Sequence, residues 1–114
     1  MTVTIYHNPR CSKSRQALEL LRAKGVEPTI VEYLKTPPDA AELGRILKLM
    51  GKSPRDIVRK KEATEAGIDP STMSDDALLQ AMVRHPAVIE RPIVVKGSKA
   101  ALGRPPEAVI RVIE

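Results

Sequence analysis

TVTIYHNPRCSKSRQALELLRAKGVEPTIVEYL, residues Thr2–Leu34, carries the pattern from which the fold is read. Thr2–Tyr6 is a run of β-branched and aromatic residues that reads as a strand. Asn8-Pro9 breaks the chain into a loop. From Ser12 to about Lys24, Ala17, Leu18 and Leu21 recur at helical spacing. Ser12 or Ser14 stands where a helix start is served, and Gly25 is a natural C-terminal stop. Thr29–Leu34 then reads as a second strand. Two strands joined by a helix imply a parallel crossover, a βαβ unit.

Outward from that unit, Thr36-Pro37-Pro38-Asp39 opens a helix with Leu43, Ile46, Leu47 and Met50 on its apolar side. Ser53-Pro54 forms an N-cap and first-position pair for a short helix expected to carry Ile57, Val58 and Arg59. A loop near Gly67–Ser74 precedes a helix at Asp75–Arg84, which His85-Pro86 stops. Arg91-Pro92 opens a third strand at Ile93–Lys96, Gly97-Ser98 signals a turn, and Lys99–Leu102 reads as a paired fourth strand. Pro105-Pro106 starts a final helix with Val109, Ile110 and Ile113. The expected architecture is α/β in the order βαβ, helical insert at about 38–88, ββα. Its mixed central sheet is flanked by helices in a single domain over residues 1–114.

Cys11 is the only cysteine among 114 residues, so it has no internal disulfide partner. It is either a packing group or a reactive one. The helix start offers unpaired N–H groups, and Arg10, Lys13, Arg15 and His7 are expected to add positive charge, both of which favour the nucleophilic thiolate. One Cys with two His is a poor ligand supply, so no metal is expected. The formal charge of +5 suits an anionic ligand or a solvated basic surface. Tyr6 and Tyr33 are the only aromatic residues, too few for a stacking platform, and no nucleic-acid-binding signature is present. No apolar run approaches a bilayer span, and no export signal follows Met1, so a cytoplasmic protein without a membrane partner is expected.

Five segments fall in order along the chain: IYHNPRCSKSR at Ile5–Arg15, EYLKTPP at Glu32–Pro38, VRKK at Val58–Lys61, ERPIVV at Glu90–Val95 and GRPPE at Gly103–Glu107. Together they resemble the glutaredoxin-coupled arsenate reductase family, with the greatest likeness to its short chromosomal members. The resemblance implies a thioredoxin-like fold and a nucleophile at Cys11. It also implies oxyanion-binding arginines at Arg59, Arg91 and Arg104, thiolate-supporting residues at His7 and Ser14, and a cis-proline at Pro92. The implied reaction converts arsenate or a similar oxyanion, with glutathione as cosubstrate and glutaredoxin as partner. No bound cofactor and a monomeric chain are implied as well.

Chemistry is consistent with this reading. A tetrahedral oxyanion suits planar guanidinium forks. With one cysteine, the thiol that resolves a covalent intermediate must come from outside the chain. Read residue by residue, other roles stay open. Arg59 also suits a solvated face in its Arg-Lys-Lys run, and Arg91 and Arg104 also suit coating a turn before Pro. His7 also suits hydrogen bonding in a loop, and Ser14 a helix cap. Two further functions share the scaffold: a general glutathione-dependent thiol reductase, and an Spx-type regulator that binds RNA polymerase. Spx-type chains typically carry C-x-x-C, whereas Ser14 here makes the motif C-x-x-S.

Overall fold

The computed structural model describes residues 2–114; Met1 of the expected 1–114 domain lies outside the described residues. The chain forms two compact units, one from the N-terminal part up to Thr36 together with Arg91–Glu114, the other from Pro37–Glu90.

The first unit contains β1 (Val3–His7), α1 (Ser12–Ala23), β2 (Thr29–Glu32), β3 (Ile93–Lys96) and β4 (Lys99–Leu102). A 3-10 turn at Pro106–Val109 then runs into α5 (Ile110–Ile113). The four strands lie in the order β2-β1-β3-β4. β1 runs parallel to β2 and antiparallel to β3, and β3 pairs antiparallel with β4. This is the mixed, helix-flanked sheet of a thioredoxin-like fold. The parallel pair requires the α1 crossover, while the β3–β4 pair needs only a tight turn. Strand alternation sends Val3 and Ile5 of β1 to one face, and Ile5 stands beside Val94 of β3. There they pack with Ala17, Leu18 and Leu21 of α1 and with Val109 and Val112. Full burial of each Val, Leu or Ile side chain among them contributes roughly 1.5–3 kcal/mol. Gly25 ends the α1 segment at φ +79, a conformation that favours glycine, with its N–H donating to the Arg22 carbonyl.

The second unit contains α2 (Ala40–Met50), α3 (Lys60–Glu65) and α4 (Asp75–Arg84), with 3-10 turns at Pro54–Ile57, Pro70–Thr72 and Pro86–Val88. Asp39 caps α2 by accepting the Glu42 N–H at 2.8 Å, and Ser74 caps α4 by accepting the Ala77 N–H at 3.1 Å. Arg55 closes the loop before α4. Its guanidinium donates to Asp75 at 2.8 and 2.9 Å and to the carbonyls of Pro70 and Met73 at 3.0 Å. Among the described residues, no helix is long and apolar enough to cross a membrane.

Several sequence expectations change in detail. β1 extends one residue further than expected, to His7. β2 stops at Glu32 instead of Leu34, because the N–H groups of Lys35 and Thr36 both turn back to the Glu32 carbonyl. The short helix after Ser53 carries Ile57 but neither Val58 nor Arg59. Val58 bridges to Ile89, and the Arg59 N–H donates to the Val88 carbonyl at 2.8 Å, so both residues are extended. The last helix begins as a 3-10 turn and becomes α-helical only at Ile110.

Gly103 follows β4 and donates its N–H to the Pro92 carbonyl at 2.8 Å. A Cβ at this position would lie 2.6 Å from Pro92 Cγ and 3.2 Å from Val109 Cγ1. Gly103→Ala is therefore expected to destabilise the chain by about 1–3 kcal/mol through overpacking. Urea denaturation checks this as a lower midpoint at unchanged slope.

Candidate active site

The loop that leaves β1 is fixed by short-range hydrogen bonds before any long-range contact is made. Asn8 is buried, and its Oδ1 accepts the Arg10 N–H at 3.0 Å. Its carbonyl accepts the Cys11 N–H at 3.0 Å, closing a turn. Its own N–H donates to Ser14 Oγ at 3.3 Å. Arg15 ties the outer side by donating Nη1 to the Pro9 carbonyl at 2.9 Å. The turn delivers Cys11 to the N-cap position of α1, with an extended backbone and no side-chain cap bond. Its thiol is thus left free to face the first-turn amides.

Sheet topology brings in the far end of the chain. β1 is antiparallel to β3, so the end of β1 adjoins the beginning of β3, with Tyr6 opposite Ile93. Ile93 in turn pairs with Leu102, which places the residues just before β3 and just after β4 side by side. Arg91 and Arg104 stand at those positions. Both precede prolines, and the Arg91–Pro92 and Arg104–Pro105 peptide bonds are cis. Arg104 donates Nε to the Arg91 carbonyl at 2.9 Å and directs Nη2 to Cys11 Sγ at 3.7 Å.

These groups set the state of the thiol. Burial pushes the Cys11 pKa up. The backbone N–H of Ser14, the Arg91 side chain, the backbone N–H of Lys13 and the positive charge of Arg91 outweigh burial and hold the thiol below its ordinary value. The arrangement therefore offers a half-buried nucleophile ringed by donors, beside two guanidinium groups suited to an anion's oxygens. Arg91 Nε is buried with no hydrogen-bond partner among the described residues.

The remaining sequence candidates take more specific places. Ser14 is fully buried, and its hydroxyl accepts from Asn8 instead of capping the helix; its backbone N–H is what supports the thiolate. His7 is 5% exposed at the end of β1. Burial pushes its imidazole below the ordinary value, assisted by the charges of Arg15 and Arg22 and opposed by Glu32. Burial thus works against the charged imidazole of His7. Arg10 and Lys13 are exposed, and Lys13 acts on the thiol through its backbone N–H. Arg59 belongs to the second unit. It donates Nε to Glu62 at 3.1 Å and Nη1 to Glu90 at 2.6 Å, all three side chains being about three-quarters buried. Among the described residues, no group of three or more His, Cys, Asp or Glu could hold a metal ion.

Sequence reading treated Asn8 only as a chain breaker and assigned no role to Glu62 or Glu90. The Arg59–Glu62 pair has the i,i+3 spacing that could have disclosed it. Asn8 before Pro carries the signal of a side-chain-stabilised turn.

The family model described as ArsC family matches residues 6–112. The chain is 53% identical over 114 residues to the Escherichia coli K12 protein named "Uncharacterized protein YfgD", covering 97% of this chain and 96% of that protein. It is 47% identical to an arsenate reductase of Neisseria meningitidis, covering 97% of each chain. Among solved structures, the arsenate reductase from Vibrio cholerae superposes with a TM-score of 0.91 at 47% identity over 98% of each chain.

Two outcomes follow from the geometry. Arg91→Ala is expected to raise the midpoint of the pH dependence of Cys11 alkylation by iodoacetamide and to slow alkylation at neutral pH. An unchanged midpoint would remove Arg91 from thiolate stabilisation. Ser14→Ala leaves the buried Asn8 N–H without its acceptor, and should cost about 1–3 kcal/mol in thermal or urea unfolding.

Proposed function

The chain belongs to the ArsC family, and on that premise we propose that it is an arsenate reductase using Cys11 as nucleophile and glutathione and glutaredoxin as external reductants. The observation that carries the reading is the double use of Arg104, one nitrogen on the Arg91 carbonyl and another on Cys11 Sγ. A tetrahedral oxyanion beside that thiol meets two guanidinium groups already oriented, one by a hydrogen bond and one by burial. The relatives named as arsenate reductases and the close structural superposition support the same conclusion.

In the proposed reaction the Cys11 thiolate attacks arsenic. An S–As bond forms, an As–O bond breaks, and the oxygen leaves as water. Arg91 and Arg104 offset charge on the remaining oxygens. Ser14 serves through its amide and the turn it anchors, and His7 flanks that turn at the end of β1. Pro92 holds the segment that presents Arg91. Arg59 is assigned to the oxyanion by family likeness alone.

Reduction of As(V) to As(III) takes two electrons. Cys11 is regenerated, so both must come from external thiols. Glutathione's thiol adds to the arsenic of the Cys11 adduct, and a second As–O bond breaks with loss of water. Glutaredoxin's thiolate then attacks the glutathione sulfur; that S–As bond breaks, its electron pair stays on arsenic, and the two thiols leave as their mixed disulfide. Water cleaves the remaining Cys11 S–As(III) bond, which frees arsenite and returns the thiol. Per turnover, arsenate and two thiols give arsenite, one disulfide and one water. No resident cofactor is required, and we place the chain in the reducing cytoplasm as a monomer.

The test is NADPH consumption in a glutathione–glutaredoxin-coupled assay with arsenate varied. Activity should depend on arsenate and vanish in Cys11→Ser. Arg91→Ala and Arg104→Ala should each lose about 10²–10³ in kcat/KM, the scale for removing a charge-stabilising donor. For Arg59→Ala, a loss of activity beyond the loss of stability assigns it to the site; parallel losses assign it to its pairing with Glu62 and Glu90. An arsenate-independent rate overturns the reading in favour of a thiol reductase. Copurification with RNA polymerase without turnover overturns it in favour of a regulator.

A further inference from the structure

A cleft of about 260 Å³ opens at the carboxyl ends of the parallel strands β1 and β2, lined by His7, Asn8, Arg10, Glu32, Leu34 and Lys35 among others. His7 and Glu32, the final residues of the two strands, are register partners, so an imidazole and a carboxylate share one wall. His7 Nδ1 is buried without a hydrogen-bond partner among the described residues.

The charges of the cleft are mixed in sign. Arg22, Arg45, Arg55 and Arg59 each have a carboxylate partner. The Arg10 side chain has none among the described residues. Lys35 lies 3.6 Å from Glu32 in an exposed pair, an arrangement that contributes little and reopens readily. One carboxylate beside two cations complements the ammonium and carboxylate of an α-amino acid.

The cleft is also within reach of the thiol. Asn8 and Cys11 are the ends of one hydrogen-bonded turn, which keeps their Cα atoms within about 7 Å. A chain of two residues extends roughly that far.

Building on the reading of Cys11 as a thiol turned over by an external reductant, we propose that this cleft binds the γ-glutamyl end of glutathione, its α-ammonium on Glu32 and its α-carboxylate on Arg10 and Lys35. The attacking sulfur is thereby delivered to the Cys11 side of the turn. Recognition rests on the γ-glutamyl group and not on the glycine end.

The experiment loads Cys11 as its mixed disulfide with 2-thiopyridine and follows release of 2-thiopyridone by added thiols. In this exchange the incoming thiolate attacks Cys11 Sγ. The old S–S bond breaks, a new one forms, and 2-thiopyridone leaves with the electron pair and a proton. γ-Glutamylcysteine should react as fast as glutathione. Both should exceed cysteinylglycine roughly fivefold or more at equal thiolate concentration, the scale of one or two exposed charge contacts. Glu32→Gln, Arg10→Ala and Lys35→Ala should each shrink the ratio of the γ-glutamylcysteine rate to the 2-mercaptoethanol rate, with folding checked by circular dichroism. Equal rates for the two dipeptides, or a ratio unmoved in all three variants, overturns the proposal. The assay contains no arsenate, so failure of the cleft and failure of arsenate reduction are read separately.

Discussion

Burial works against the Cys11 thiolate, and the surrounding structure is organised by the need to offset it. A half-buried thiol loses solvation of its charged form. The donors that compensate come from two sources with different tolerance to change. Two are backbone amides, of Lys13 and Ser14, which are available wherever α1 begins at Cys11. The others are Arg91 and Arg104, which reach the thiol only because β1 ends beside the start of β3 and because β3 and β4 are paired in register. The hairpin thereby acts as a mount for two cations.

Much of this architecture was legible in the chain. β3, β4 and α4 fall where alternation and helical spacing place them, because each has strong local patterning and clear stop signals. Local patterning also explains the misses. Val58 and Arg59 leave the expected helix because they pair with the segment near Val88 and Ile89, some thirty residues away, which no local spacing can reveal. Pro105-Pro106 marks the start of the last helix correctly, but a proline fixes the entry and not whether the first turn is 3-10 or α. Ser14 stood at a plausible cap position, yet the turn that begins at Asn8 claims its hydroxyl first.

The electrostatics of the site were the least legible part. Arg10 and Lys13 adjoin Cys11 in sequence, but the helix start directs their charges into solvent. The cations that act on the thiol come from the opposite end of the chain. His7 lies in the same stretch as Cys11, and its burial works against the charged imidazole. Arg59 shows the same lesson in the second unit, where Glu62 and Glu90 occupy its guanidinium. Any anion binding to Arg59 has to compete with two carboxylates already in place, so its affinity there depends on how readily those partners give way.

The hydrogen bond from Asn8 to Ser14 Oγ bears on how such a site can evolve. Exchanging the Ser14 oxygen for sulfur would turn C-x-x-S into C-x-x-C and place a second thiol within the same turn. Sulfur is a weak acceptor, however, and the Asn8 N–H it would have to satisfy is buried. A lineage that acquired the dithiol would first have to rebuild the turn presenting its nucleophile. One atom separates the two motifs in sequence, while the hydrogen bonding of this loop sets a barrier between them.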